Sequence, residues 1–208
     1  MCGFTLSEVL VTLMIIGVVA VLTIPTIMNS IWNMQQKNQF KKAYTTVYQA
    51  LYEIKNNVGY VPNCFYNSTV QSAPQSGECA SLFFPEFKKN LNIIKDCPDH
   101  AYSGGCIPYY NDNAGGGCPG FSQTNMQNNN PTYVLADGTI IAPYGVAGAL
   151  PLIVVDINGQ KPPNKWGYDV FDLFWYGNND ALKVQPSTCF TPDTGGITTD
   201  VMIQNAFK

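Results

Sequence analysis

A run of apolar residues near the N-terminus constrains this 208-residue chain more than any other feature. Residues 9–28 contain 15 hydrophobic residues in 20, and no charged residue occurs between Glu8 and Lys37. Twenty residues at the helical rise of 1.5 Å extend about 30 Å, the thickness of a bilayer's hydrocarbon core. The basic segment and the small-residue cleavage site of a secretory signal are not evident around this run. The sequence therefore predicts a membrane-spanning helix at about residues 9–28.

A short motif comes directly before the apolar run. The string GFTLSEVL at residues 3–10 resembles the processing site of type IV pilins and type II secretion pseudopilins. The resemblance implies that residues 1–3 are a leader peptide, that a prepilin peptidase cuts after Gly3, and that the new N-terminal residue, Phe4, is methylated. It also implies that Glu8 meets the terminal amine of a neighbouring subunit during assembly.

Three lysines, Lys37, Lys41 and Lys42, follow the predicted span. A count of basic residues alone would place the C-terminal part in the cytoplasm. The processing motif and the downstream cysteines favour the opposite orientation, because disulfides form in oxidising compartments outside the cytoplasm. We therefore expect a single-pass protein of the inner (cytoplasmic) membrane with an extracytoplasmic head, which then enters a pilus or a pseudopilus.

Six of the seven cysteines lie downstream of the span. An even number of cysteines in an extracytoplasmic domain predicts three disulfides, with buried free thiols as the alternative. Zinc binding is disfavoured, because the spacing Cys-x-x-Cys does not occur. Proximity along the chain favours the following pairs, and a swapped local pair remains open: Cys64 with Cys79, Cys97 with Cys106, and Cys118 with Cys189.

The apolar pattern changes beyond the span. Apolar residues recur every three to four positions among polar ones, which predicts that the same helix continues to about residue 57 with an amphipathic upper half. An amphipathic helix of this length must lay its apolar stripe on another layer. The predicted organisation is therefore a leader at residues 1–3, a helix at 4–57 and a globular head at 58–208.

Strand patterns appear late in the head. Asp137-Gly138 is suited to the type I′ turn of a hairpin, and it separates the first two of four apolar runs. The predicted strands are residues 133–136, 139–142, 152–157 and 170–176. Residues 59–131 predict a loop region held by disulfides, with a short helix at 85–94. We expect an α+β fold with a small antiparallel sheet at 132–177 packed on the long helix, the roll that the resemblance also implies.

Oxygen-bearing side chains lie between the last two predicted strands. Asp156, Asn158 and Asp169 could supply ligands for calcium, which some members of the resembled family hold near the sheet. The EF-hand spacing is absent, and Asn158-Gly159 is typical of a tight turn. Turn chemistry is therefore the main interpretation, calcium is the alternative, and no other cofactor is predicted.

Composition excludes several functions. All 11 basic residues are lysines, so the chain lacks the arginine that most often contacts phosphates and base edges in nucleic-acid complexes. The chain has a single histidine and scattered carboxylates, which offer no pattern for acid–base catalysis. We therefore expect neither an enzyme nor a nucleic-acid-binding protein.

These observations together predict a non-enzymatic filament subunit of a type IV pilus or a type II secretion pseudopilus. Its expected partners are the prepilin peptidase, identical or related pilin subunits, the membrane and the pilus or secretion assembly machinery. The alternative is a signal-anchored extracytoplasmic binding domain or enzyme that does not polymerise. Cleavage after Gly3 distinguishes the two classes.

Overall fold

One long helix leads into a head that contains a sheet in the computed structural model. This helix, α1, spans Leu6–Val58 and has 53 residues, close to the predicted 4–57. Phe4 lies outside the described residues. The structure describes residues 5–62, 78–113, 121, 126–145, 151–178, 181–186 and 189–208.

Local residues define both ends of α1. The Thr5 side chain caps the N-terminus by accepting a hydrogen bond from the Glu8 backbone amide at 3.3 Å. Gly59 ends the helix in the left-handed conformation at φ +92°, and its amide donates to the Lys55 carbonyl at 2.8 Å. Pro25 lies inside the helix without ending it. The result is one continuous rod about 80 Å long.

The two halves of α1 differ in what covers them. Between residues 5 and 39 every side chain that the structure describes is exposed, except Ala20 and Gln36, which are partly buried. Buried residues of the upper half recur at intervals of three or four, as expected for one helical face. They are Phe40, Ala43, Val47, Ala50, Leu51 and Ile54.

This face packs on a six-stranded antiparallel sheet whose strands follow chain order. The strands are β1 (Ile93–Cys97), β2 (Thr132–Leu135), β3 (Ile140–Gly145), β4 (Pro151–Asp156), β5 (Val170–Asn178) and β6 (Ala181–Pro186). β2 and β3 form the predicted hairpin, but the turn is not type I′, because Asp137 lacks the positive φ that this turn requires. The Gly138 amide donates to the Leu135 carbonyl at 2.9 Å, so Ala136 and Asp137 are the central residues and Gly138, at φ +90°, follows them. The four predicted strands are confirmed as β2 to β5.

Several elements of the head depart from the prediction. Residues 85–94 are not one helix: α2 (Phe84–Lys89) follows a π-helical turn (Cys79–Phe83), and Ile93 and Ile94 belong to β1. β1 and β6 extend the sheet beyond the predicted 132–177, and β1 lies inside the predicted loop region. Two further helices were not predicted. The short α3 (Met126–Asn129) lies inside the predicted loop region, and the C-terminal α4 (Thr199–Phe207) packs against α1, where the Phe207 and Tyr44 rings lie 5.1 Å apart. β1 lacks an alternating pattern because its middle residues are all exposed.

Side chains alternate between the two faces of the sheet along each strand. A hydrophobic core lies on each face. Ile141, Ile153, Val155 and Phe171 face the layer formed by α1 and α2. Their strand neighbours face a second core made of loop segments. That core contains Ala101, Cys106, Tyr110, Phe121, Trp166 and Phe190. The region predicted as a loop therefore covers one face of the sheet.

A disulfide ties β1 to the loop that follows it. Cys97 and Cys106 are bonded, which confirms one of the three predicted pairs. Cys79 and Cys189 are also disulfide-bonded. Cys64 and Cys118, the partners predicted for them, lie outside the described residues, so these two pairings stay predictions.

Replacement of Ile54 by alanine tests the packing of α1 on the sheet. Ile54 is 0% exposed, so Ile54→Ala should lower the free energy of unfolding by about 2–5 kcal/mol through lost burial and a cavity. Denaturant titration of the detergent-solubilised protein measures the change. Ile94→Ala is the matched control, because Ile94 is 67% exposed and its loss should cost less than about 0.5 kcal/mol. Equal losses in the two variants would contradict the packing of α1 on the sheet.

Candidate functional site

The lower half of α1 presents an apolar surface on every side. Four consecutive residues, spaced 100° apart around the helix, are 58–73% exposed: Leu13, Met14, Ile15 and Ile16. The most apolar 18-residue window of α1 has a mean hydropathy of 2.5 and no residue buried within the protein. The helix is therefore long and apolar enough to cross a membrane. A surface of this kind is unfavourable in water and requires an apolar environment around it.

Glu8 stands at the start of this apolar half and folds back onto Thr5. Its Oε2 atom accepts hydrogen bonds from the Thr5 amide at 2.8 Å and from the Thr5 hydroxyl at 2.9 Å. Together with the bond from the Glu8 amide to Thr5 Oγ1, these contacts form a capping box. The carboxylate also lies at the positive end of the helix dipole, which stabilises its charge.

The capping box sets the surroundings that any partner of Glu8 would meet. In this single chain Oε2 already has two donors from Thr5. An amine from another subunit could share this carboxylate with Thr5, because the two oxygens of a carboxylate accept several hydrogen bonds. Gly3 and Phe4, the predicted processing residues, lie outside the described residues, so cleavage and pairing with Glu8 stay predictions.

Two polar contacts orient the head on α1. The Gln36 side-chain amide donates to the Tyr168 carbonyl at 2.9 Å, and Lys42 pairs with Asp137 at 2.8 Å. Both partners belong to loops at one end of the sheet. Nothing in the sequence pattern could reveal the first contact, because its two residues are 132 positions apart.

The segment between β4 and β5, residues 156–169, is here named the Asp loop, after the two carboxylates that organise it. Asp156 Oδ1 accepts hydrogen bonds from the amides of Asn158 at 3.2 Å and Gly159 at 2.8 Å. Its Oδ2 accepts one from the Tyr110 hydroxyl at 2.7 Å. Both oxygens of this buried carboxylate therefore have protein donors.

Asp169 has the same role at the other end of the Asp loop. Its Oδ1 accepts a hydrogen bond from the Lys165 amide at 2.7 Å. Its Oδ2 accepts bonds from the Asn164 amide at 2.8 Å and from the Asn158 side chain at 3.1 Å. Asp169 is fully buried.

The structure thus brings together the three residues considered for calcium, Asp156, Asn158 and Asp169. A calcium ion would have to displace the amide and hydroxyl donors that these carboxylates already hold. Among the residues that the structure describes, no group of three or more His, Cys, Asp and Glu side chains could hold a metal. The geometry matches the turn interpretation, and we do not propose calcium as a cofactor.

Burial also changes the acidity of these groups. It raises the pKa of the Asp156 carboxyl from its ordinary value of 3.8 to about 8, opposed by the hydrogen bond from Tyr110 and reinforced by the charge of Asp169. Burial raises the pKa of Asp169 as well. Ionisation of these buried carboxyl groups near neutral pH therefore costs free energy.

In comparisons with known proteins, no family model matches the chain, and neither a characterised protein nor a solved structure matches it at a significant level. What the chain does is therefore inferred from its own motif and geometry.

Asp156 generates a prediction for the pH dependence of stability. Its pKa is higher in the folded chain than in the unfolded chain, so the folded state holds an extra proton between about pH 4 and pH 8. Stability from this group is therefore greatest at low pH and falls as the pH rises through that window. Denaturant titrations at about pH 5 and about pH 8 should show a higher midpoint at the lower pH.

Asp156→Asn separates titration from structure in that experiment. The amide keeps an oxygen for the two backbone donors and can donate to the Tyr110 hydroxyl, but it carries no charge. The difference between the two midpoints should shrink in the variant. An unchanged pH dependence would exclude Asp156 as its source.

Proposed function

We propose that the chain is a structural subunit of a type IV pilus or a type II secretion pseudopilus, processed by prepilin peptidase and assembled through α1. One observation carries the proposal. The lower half of α1 is exposed and apolar on all sides, yet it is continuous with an upper half that is packed into the head. A helix built this way can exchange lipid around its lower half for the helices of other subunits.

The all-round exposure of the lower half argues against a simple surface-lying helix. An interfacial helix has one apolar and one polar face, whereas α1 has no charged residue between Glu8 and Lys37. The proposed location is the inner membrane, with one span, an extracytoplasmic head and later transfer into the pilus or pseudopilus. The pilin-like roll is part of the same proposal, supported by a long helix packed on an antiparallel sheet.

Glu8 supports polymerisation more specifically. An ionised side chain costs on the order of 2.5–3.5 kcal/mol at the bilayer centre and less towards the interface. No lysine of the same span can compensate it, because Lys37 lies 29 residues away, about 43 Å along the helix. Processing before Phe4 would create an amine on each neighbouring subunit, and pairing with Glu8 would set the register between adjacent helices.

The alternative class is an anchored extracytoplasmic domain that remains monomeric. The capping box favours this class, because hydrogen bonds from Thr5 stabilise the Glu8 carboxylate without a second subunit. In that case Glu8 only starts the helix, the chain is not cut after Gly3, and the head carries the activity. Two sets of variants distinguish these functions.

Gly3→Val tests processing. A side chain at the cut site should block the peptidase, so this variant should keep residues 1–3 and the precursor mass. Gly17→Val is the matched control, because a side chain added at Gly17 meets nothing within 4 Å and should leave cleavage unchanged. Intact mass of the membrane-extracted protein reports both the loss of the leader and a methyl group on Phe4. Retention of residues 1–3 in the wild type and in Gly17→Val as well as in Gly3→Val would favour the anchored monomer.

Two substitutions of Glu8 separate its charge from its cap. Glu8→Leu removes both, whereas Glu8→Gln keeps a side chain that can complete a capping box but carries no charge. If Glu8 pairs with a neighbouring amine, both variants should insert and be cleaved, yet yield at least about tenfold fewer filaments. Electron microscopy and immunoblotting of sheared and membrane fractions measure the yield. Wild-type yield from Glu8→Gln would show that only the cap matters.

A further inference from the structure

A cleft of about 430 Å³ lies between α1 and the Asp loop. One wall is a face of the helix just above the predicted span, and the other wall is the tip of the loop. The cleft is lined by Trp32, Gln35, Gln36, Gln39, Asn158, Lys161 and Pro162. It plays no part in the processing or assembly proposed above.

The height of the cleft along α1 is what suggests its occupant. Trp32 lies four residues beyond the end of the predicted span at residue 28, about 6 Å along the helix axis. The polar layer on each side of a bilayer is about 5–8 Å thick, so Trp32 would stand within it. Tryptophan is enriched at this level, because its ring is amphipathic. The lower end of the cleft would therefore open into the layer that contains lipid phosphates.

The chemistry of the lining fits a phosphate. Lys161 is the one charged residue that lines the cleft, and it is exposed. No described carboxylate forms an ion pair with it. The side-chain amides of Gln35 and Gln39 add neutral hydrogen-bond donors on the helix wall. An ammonium group flanked by amide donors is a suitable set for a phosphodiester, and a basic side chain near a bilayer attracts anionic lipid.

The loop wall of the cleft is held in place before any ligand arrives. Asp156 and Asp169 bind the backbone of the Asp loop at both of its ends. At Gly159 the loop approaches the β2–β3 turn so closely that an added Cβ atom would lie 2.2 Å from the Gly138 carbonyl oxygen. With its amide oriented to satisfy its neighbours, Asn164 donates to the Lys161 carbonyl at 2.9 Å. Little ordering of the backbone around Lys161 would therefore be needed on binding.

We infer that this cleft binds the phosphate head group of an anionic phospholipid and so holds the head against the bilayer before assembly. The inference rests on the membrane span of the proposed function, but it requires neither cleavage after Gly3 nor polymerisation. The bound lipid bridges the helix wall at Gln35 and the loop wall at Lys161. It fixes the tilt of the head relative to the membrane surface.

The test uses the full chain reconstituted in vesicles of phosphatidylcholine containing phosphatidylglycerol, at about 150 mM salt. A small fraction of either lipid carries a nitroxide near the glycerol end of an acyl chain, and the quenching of Trp32 fluorescence is measured. Trp166 and Trp175 are buried in the head, and a Trp32→Phe variant supplies their background. Labelled phosphatidylglycerol should quench Trp32 about three- to fivefold more than labelled phosphatidylcholine at the same mole fraction.

Two matched variants separate a site from general surface charge. Lys161→Gln should reduce the preference for phosphatidylglycerol to about onefold. Lys165→Gln removes the same charge from the same loop, but Lys165 does not line the cleft, so most of the preference should remain. Equal loss in the two variants, or no preference in the wild type, would overturn the lipid site.

Insertion is measured in the same vesicles by resistance to carbonate extraction, which distinguishes the two levels of inference. A chain that inserts but shows no lipid preference overturns the lipid site alone. A chain that is extracted overturns the span and the lipid site together. Filament assembly and cleavage after Gly3 do not influence either result.

Discussion

The contact between the upper half of α1 and the sheet is the interaction on which the rest of the structure depends. Phe40 anchors it by meeting the Phe171 ring edge to face, with centroids 5.0 Å apart. Because α1 is a continuous rod, the face used for this contact also sets the direction in which the lower half leaves the head. The Gln36 bond to Tyr168 secures the same orientation at the point where the two halves meet.

α1 therefore works in two different environments along one axis. The upper half is stabilised by burial against the sheet, as in a soluble protein, whereas the lower half has an apolar surface that the chain itself does not cover. Lipid and a bundle of other helices are both suitable covers, since each is apolar. Under the proposed function, this equivalence would let one segment be an anchor in the membrane and an assembly element in a filament. The Glu8 charge would distinguish the two states, because it would pair with a neighbouring amine only in the filament.

Two buried carboxyl groups hold the Asp loop, which forms one wall of the cleft beside α1. Asp156 and Asp169 are costly to bury as carboxylates, and the cost appears as raised pKa values. Their oxygens accept hydrogen bonds from four backbone amides of the loop, which adds to the backbone bonds that the loop makes itself. That loop presents Lys161 and Pro162 to α1 beside Trp32, so the core of the head and the region just above the span are joined through two carboxylates.

Sequence pattern alone predicts the long apolar helix, its amphipathic continuation, four strands and the bond between Cys97 and Cys106, because each depends on residues that are close along the chain. Periodicity, a turn dipeptide and short separation carry that information. The sequence pattern could not reveal β1, because its exposed middle residues lack alternation. It could not reveal α4 either, because that helix packs on α1, more than 140 residues away in the sequence. The contact of the Asp loop with Gln36, and the hydrogen bonds that Asp156 and Asp169 accept from the amides of that loop, depend on the tertiary structure. Such contacts arise from the direction in which the sheet packs on the helix, which no local pattern encodes.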